Sequence, residues 1–363
     1  MNKHRRLNRK RSAGFGLVEI MVAMLIGMFG VLIMMQVLSV SEEQKRTTTS
    51  GNDAMNEGVL ALYGIQSDVR MSGYGITDAK ILGCALTLRA GVTLASLSPV
   101  TINSANITGA DANTDTLLAF YSNSYGTPQG DKVIGAGNTV QTPSAFVVND
   151  WVVVGPSARP TPCTLTLDRV TNVVGATVTL ASGIALGTGD TIFNLGQSYR
   201  AIGYAVRNGN LTTCDYTNAA VNCAVAGSWA SIASNIVSLR AQYGRDTAVA
   251  AMDGFVDSYD QATPNPAVTP NTLCGWSRIS AVRMALVARS AQIGAIDKTT
   301  GLTEVLTAAA PLWEGTAAGN PAGSTAAPIN LSGDATWQNY RYKVFQTVVP
   351  IRNMSWMGVV TGC

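Results

Sequence analysis

The sequence is poor in histidine and in charge. Its single histidine, His4, lies near the start, and Asp, Glu, Lys and Arg together make up only 13% of the 363 residues. Beyond residue 14 no imidazole remains for a catalytic triad or a histidine metal site. The sequence also lacks an S-x-x-K motif and a nucleophile elbow. The composition argues against an enzyme, and we expect no cofactor and no metal site.

Acidic residues are missing from the beginning of the chain. Six of the 25 Lys and Arg residues lie in the first 14 positions, which contain no acid, so the remainder carries 19 basic against 22 acidic residues, a net charge of −3. A net acidic body gives no overall attraction to nucleic acid, which argues against DNA or RNA as a partner.

The cysteines form no C-x-x-C pair, which disfavours zinc ribbons and thioredoxin-type redox sites. An even number of cysteines in an exported domain favours disulfide bonds. Only the short separation of Cys214 and Cys223 suggests a particular pair. The disulfide candidates are Cys84, Cys163, Cys214, Cys223, Cys274 and Cys363.

A long apolar run follows the basic start. The 26 residues from Phe15 to Val40 would make about 39 Å of helix, enough to cross a bilayer core of about 30 Å, with the span at about 20–40. Basic residues are concentrated on the N-terminal side of the run, which places that side in the cytoplasm. A cleaved secretory signal would share these features, and Ser39-Val40-Ser41 offers small residues for such a cut.

Glu19 fits neither a secretory signal nor a simple anchor. An ionisable group at the edge of a membrane helix costs a few kcal/mol unless it is paired. The alternative is a carboxylate that reaches the lipid headgroups. A functional role is favoured, because the chain needs no acid there for either export or anchoring.

The basic leader, Gly14, Phe15 and Glu19 together resemble the class III signal of type IV pilins and of type II secretion pseudopilins. The resemblance implies that a membrane-embedded prepilin peptidase cuts between Gly14 and Phe15, removes a leader at 1–14 and methylates the new amine. It also implies an assembly role for Glu19. When helices pack side by side with a stagger, the cationic amine of one subunit can meet the Glu19 carboxylate of its neighbour, and this pairing would set the register.

The rest of the helix and the body are predicted from periodicity. A stripe at steps of 4, 3, 3 and 4 predicts an amphipathic helical half that ends near residue 71; it consists of Met55, Val59, Leu62, Ile65 and Val69. From 72 to 363 short alternating runs separated by turns predict a β-rich domain, with an insertion at about 80–190. The expected strand regions are 116–123, 145–155, 176–181, 201–210, 279–290 and 340–351, and Asn208-Gly209 predicts a hairpin. The fold class is α+β and pilin-like: a long N-terminal helix at 15–71 packed on this domain.

Four body segments, 67–75, 198–211, 277–290 and 340–354, resemble the PilW group of minor pilins, in that order. This resemblance implies a non-catalytic subunit that primes type IV pilus assembly and lies at the fibre tip. Its partners would be the prepilin peptidase, other minor and major pilins, the inner-membrane assembly machinery and the lipid bilayer. The chain would span the bacterial inner membrane once, with a periplasmic body, and then enter the pilus. The alternatives are a type II secretion pseudopilin and a pilus-tip adhesin or DNA-binding subunit.

Two features of the body have simpler interpretations. Asp246, Asp253, Asp257 and Asp260 could suggest a calcium loop, but their spacing does not match an EF-hand, and acidic turns are common. The segments 260–274 and 307–328 are rich in Ala, Pro and Thr, and we expect surface loops.

Overall fold

The computed structural model describes residues 14, 16–248, 252–264, 272–296, 300–315, 320–321, 327–360 and 363. The chain divides into two compact units between Asn52 and Asp53. The long helix α1 runs over Leu17–Met71, and α2 is a short helix at Thr272–Ser277. Short 3-10 helices lie at Pro143–Ala145, Ala226–Ser228, Trp337–Asn339 and Arg352–Met357.

The sequence explains both ends of α1. No proline precedes Pro99, so nothing removes a helical hydrogen bond before Met71. Glu19 lies in the first turn and Arg70 in the last, and both charges complement the helix dipole. Gly73 has a φ of +84°, which a side chain would disfavour, and this left-handed residue directs the chain away from the helix axis.

The strands follow in two groups. The first comprises β1 (Ala85–Arg89), β2 (Val92–Leu94), β3 (Val100–Ile102), β4 (Leu117–Tyr121), β5 (Asp131–Gly135), β6 (Thr139–Val140), β7 (Trp151–Gly155), β8 (Thr164–Val174), β9 (Thr177–Leu180) and β10 (Thr191–Gly196). The second comprises β11 (Arg200–Arg207), β12 (Asn210–Asp215), β13 (Ala230–Ala233), β14 (Ile236–Arg245), β15 (Ser258–Asp260), β16 (Ile279–Arg289), β17 (Leu312–Trp313), β18 (Asn320–Pro321), β19 (Ala327–Pro328) and β20 (Tyr342–Pro350).

Six strands of the first group close into a small barrel, in the order β8-β7-β10-β5-β6-β9. Closure is possible because β8 pairs with β7 around Leu167–Arg169 and with β9 from Val170 onward. The barrel has a core of its own, formed mainly by valines such as Val152 and Val178. β1 joins β8 in parallel and β2 extends the sheet. The insertion at about 80–190 stays a prediction. Within that range, β3 and β4 belong to the next sheet.

Two five-stranded antiparallel sheets make up most of the remaining body, in the orders β13-β12-β11-β4-β3 and β18-β15-β14-β16-β20. The main hydrophobic core joins both sheets to α1 from Ala54 onward. A smaller core lies where β17 and β19 cover the outer face of β16. The body is therefore β-rich, and the α+β fold class is confirmed.

Several local predictions are confirmed. Asn208 and Gly209, with φ values of 51° and 67°, form the two-residue turn between β11 and β12, as a type I′ hairpin requires. On β16 the alternation places Val282, Met284 and Leu286 in the main core. The opposite face of β16 is covered as well, because Ala285 and Val287 are fully buried against the β17–β19 segment.

Two predictions need correction. Strand structure in 145–155 begins only at Trp151, because Asn149 has a φ of +80° and turns the chain before it. The segment 307–328 is not simply a surface loop, since Trp313 within it is only 2% exposed and belongs to the small core under β17. In 260–274, residues 265–271 lie outside the described residues.

Candidate assembly site on the N-terminal helix

The residues that the sequence predicts to be functional lie at the start of α1 and just before it in the sequence. Gly14 and Gly16 are exposed, and Phe15 lies outside the described residues. The helix begins where the Glu19 N–H donates to the Gly16 carbonyl at 2.9 Å. The Glu19 side chain is exposed, and no cation in the described part of the chain forms an ion pair with it. Its carboxylate is thus accessible to a partner outside the chain.

Every residue in the apolar part of α1 is exposed. Leu17–Glu42 is long and apolar enough to cross a membrane, and its apolar side chains are exposed throughout. Burial of each large aliphatic side chain away from water is favourable by about 1.5–3 kcal/mol of free energy. A surface of this kind therefore requires contact with lipid or with other helices. The segment fits a membrane-anchored protein.

The second half of α1 packs into the body through small residues. The buried face consists of Ala54, Gly58, Ala61, Ile65 and Val69, at steps of 4, 3, 4 and 4. At Gly58 the ring of Phe345 on β20 lies so close to the helix backbone that an added Cβ would clash with it. Glycine at this position allows the helix and the last strand to approach closely.

The predicted apolar stripe is only partly correct. Ile65 and Val69 are fully buried and Leu62 is half-buried, but Met55 and Val59 are 46% and 52% exposed. The helix is rotated so that Ala54 and Gly58 face the body instead. The physical reason is the bulk of Phe345, which fills the space that large helix side chains would need.

Asp68 links the helix to the sheet that contains β4 and β11. Its carboxylate accepts hydrogen bonds from the Tyr204 hydroxyl at 2.6 Å and the Tyr121 hydroxyl at 3.2 Å. Burial first, and then the Asp68 charge, raises the pKa of both tyrosines well above the usual range. Both hydroxyls therefore remain protonated donors at any physiological pH.

The C-terminal end of α1 is held from the other end of the chain. The Asn353 side-chain amide donates to the Met71 carbonyl at 2.8 Å and to the Ser72 carbonyl at 3.0 Å. The Ser72 hydroxyl donates to the Val69 carbonyl at 2.6 Å. Carbonyls that a helix end leaves without intrahelical partners thus receive donors.

The six candidate cysteines form three disulfides, Cys84–Cys163, Cys214–Cys223 and Cys274–Cys363. The local pair suggested by spacing is among them. The other two join residues 79 and 89 positions apart, and Cys274–Cys363 fixes α2 to the last residue of the sequence. Sequence spacing gave no indication of the long-range pairs, because the fold alone brings these cysteines together.

The acidic residues around 246–260 have structural partners. The Asp246 carboxylate, 1% exposed, accepts from the backbone N–H groups of Ala248, Asp253 and Gly254 and faces Arg278 at 3.7 Å. Among the described residues no group of three or more His, Cys, Asp or Glu is placed to hold a metal ion.

Comparison with known families first defines a class. Residues 9–35 match the model described as the prokaryotic N-terminal methylation motif, a segment that contains Gly14, Phe15 and Glu19. This class comprises prepilin-like proteins.

A second match is more specific. Residues 204–353 match the model described as type IV pilus-assembly protein W, from Tyr204 to Asn353. Both of these residues contact the α1 segment that docks on the body. The two matches confirm both resemblances and support a type IV pilus-related minor pilin. Proteins of that type are structural and interact with other pilins and the pilus machinery. No curated protein and no solved structure gave a match.

Proposed function

We propose that this chain is a minor pilin that primes type IV pilus assembly and takes a place at the fibre tip. A prepilin peptidase would cut between Gly14 and Phe15 and methylate the Phe15 amine. Before assembly, Leu17–Glu42 would span the inner membrane, with the N-terminus in the cytoplasm and the body in the periplasm. The single observation that carries the proposal is the exposed Glu19 carboxylate, in a segment that matches the methylation motif.

In this mechanism Glu19 binds a neighbouring subunit. Cleavage leaves a cation at Phe15 and an anion one helical turn later, both near a low-dielectric phase where an unpaired charge is costly. The amine of an adjacent pilin would pair with Glu19 and fix the axial stagger of the two helices. The exposed apolar side chains of the span would pack on other minor and major pilins. The three disulfides suit the oxidising periplasm.

The processing step can be tested by determining the N-terminus of the protein isolated from membranes, with and without an active prepilin peptidase. We expect a methylated Phe15 that disappears without the peptidase. A start at Glu42 or an intact Met1 in the presence of the peptidase would contradict the proposal.

The assembly step can be tested with Glu19→Ala, using Glu42→Ala as the matched control, since both acids are exposed at the ends of the span. Glu19→Ala should be cleaved normally but fail to enter pili, because it lacks the anion that pairs with the incoming amine. Glu42→Ala should behave as wild type. Normal piliation with Glu19→Ala would refute the pairing role.

A type II secretion pseudopilin would share the processing motif, but the match over residues 204–353 favours the pilus. Deletion of the protein should remove pili and leave type II secretion intact. Loss of secretion with normal pili would support the pseudopilin instead.

A further inference from the structure

An exposed aliphatic loop follows β16. Its two arms, residues 293–296 and 302–305, are joined by a β-bridge between Ile296 and Thr303, and we call them the apolar loop. Four of its side chains are strongly exposed: Ile293 at 43%, Ile296 at 63%, Leu302 at 70% and Val305 at 58%. Single exposed aliphatic residues are common, but such a concentration within one short loop marks an interaction surface.

The position of the apolar loop in the body follows from β20. This strand runs alongside α1 in the same direction, because Phe345 lies against Gly58 while Asn353 binds the Met71 carbonyl. The start of β20 at Tyr342 is therefore at the Asp53 end of the body.

Hydrogen bonds fix the apolar loop at this same end. The Gly294 N–H donates to the Asn339 carbonyl at 2.8 Å, and the Leu306 N–H donates to the Gln338 carbonyl at 2.8 Å. Both acceptors lie only a few residues before β20 begins.

The Asp53 end is also where the chain arrives from the membrane. Between Glu42, where the span ends, and Asp53 the chain can reach roughly 40 Å at most, and about 16 Å if it stays helical. This short connection attaches the Asp53 end of the body directly to the span. The opposite end of the body, with Phe255 and the Arg352–Met357 helix, lies a full strand length from the Asp53 end.

We propose that the apolar loop inserts into the interfacial region of the lipid bilayer and so docks the body on the membrane before assembly. This goes beyond the pilin role and depends only on the span being in the membrane. Aliphatic side chains from both arms suit the headgroup boundary. Exposed Arg341 and Lys343 at the start of β20 suit anionic headgroups. Exposed Glu304 limits the insertion to interfacial depth.

The test uses the full-length mature protein in vesicles of phosphatidylethanolamine and phosphatidylglycerol. A photoreactive residue replaces Leu302 in one variant and Phe255 in the control, since both are large, apolar and about 70% exposed. Flotation with the vesicles checks the anchor independently of the loop. We expect several-fold more lipid adduct at position 302 than at position 255.

Equal lipid labelling at the two positions, or no adduct at position 302 in floating protein, would overturn the proposal. A protein adduct at position 302 in native membranes, without lipid adduct, would also overturn it and would identify the loop as a pilin contact. Failure to float would instead count against the membrane span itself.

Discussion

Gly58 offers the sharpest test of how α1 docks on the body. Its Cβ-free backbone faces the Phe345 ring, while Gly64 on the same helix has open space around it. Through helix propensity alone, each substitution to alanine should raise the free energy of unfolding by up to about 1 kcal/mol. At Gly58 the added methyl must displace the ring, and overpacking of this kind costs typically 1–3 kcal/mol. Gly58→Ala should therefore destabilise the body by about 1 kcal/mol, and Gly64→Ala should stabilise it by a similar amount.

The assay is urea unfolding of the mature protein in detergent, with the disulfides intact, followed by tryptophan fluorescence. The two midpoints should move in opposite directions. Adding Phe345→Leu to Gly58→Ala should recover part of the loss, because the smaller side chain leaves room for the methyl. Equal shifts of the same sign for the two glycine variants would refute the close packing of helix and strand.

Three further predictions concern the body. Tyr204→Phe should cost about 1.5–3 kcal/mol of unfolding free energy, because the Asp68 carboxylate loses a short, partly buried hydrogen bond. Tyr121→Phe should cost less, since its hydrogen bond is longer, and equal losses in the same urea assay would contradict this. Replacing both Cys274 and Cys363 with serine should cost about 2–5 kcal/mol, and an unchanged midpoint would argue against that disulfide. The pKa of Asp334 lies below its usual range, chiefly because the Thr336 hydroxyl donates to it, so its contribution is present above about pH 4 and is lost as the pH falls further. Asp334→Asn should flatten the acid limb of the stability profile, and an unaltered limb would rule out this contribution.

The sequence predicted best where the physical signal is local. The apolar span and the Asn208-Gly209 turn each depend on adjacent residues, and the alternation on β16 follows directly from the strand period. The assembly role of Glu19 stays a prediction. The rotation of α1 was not predicted, because Phe345 lies far from Ala54 and Gly58 in sequence and no periodicity reports on it.

The sequence does not predict the closure of the barrel, for a similar reason. Nothing in the alternation of β8 indicates that its two halves pair with different strands. The composition around Trp313 predicts a surface loop, whereas its burial depends on the outer face of β16. At the candidate site the sequence identifies Gly14, Phe15 and Glu19. It does not predict that Tyr121 and Tyr204 donate hydrogen bonds to Asp68.

The Asn353 amide and the Met71 carbonyl are separated by 282 residues of sequence. Phe345, which lies against Gly58, belongs to β20, the strand just before Asn353 in the sequence. The ribosome therefore synthesises α1 long before it synthesises β20, the strand on which the second half of that helix packs. Contacts of such long range form slowly, since a large loop must close first. The anchor is thus made early and its docking is completed late, so that a chain broken off before β20 would lack a properly seated helix.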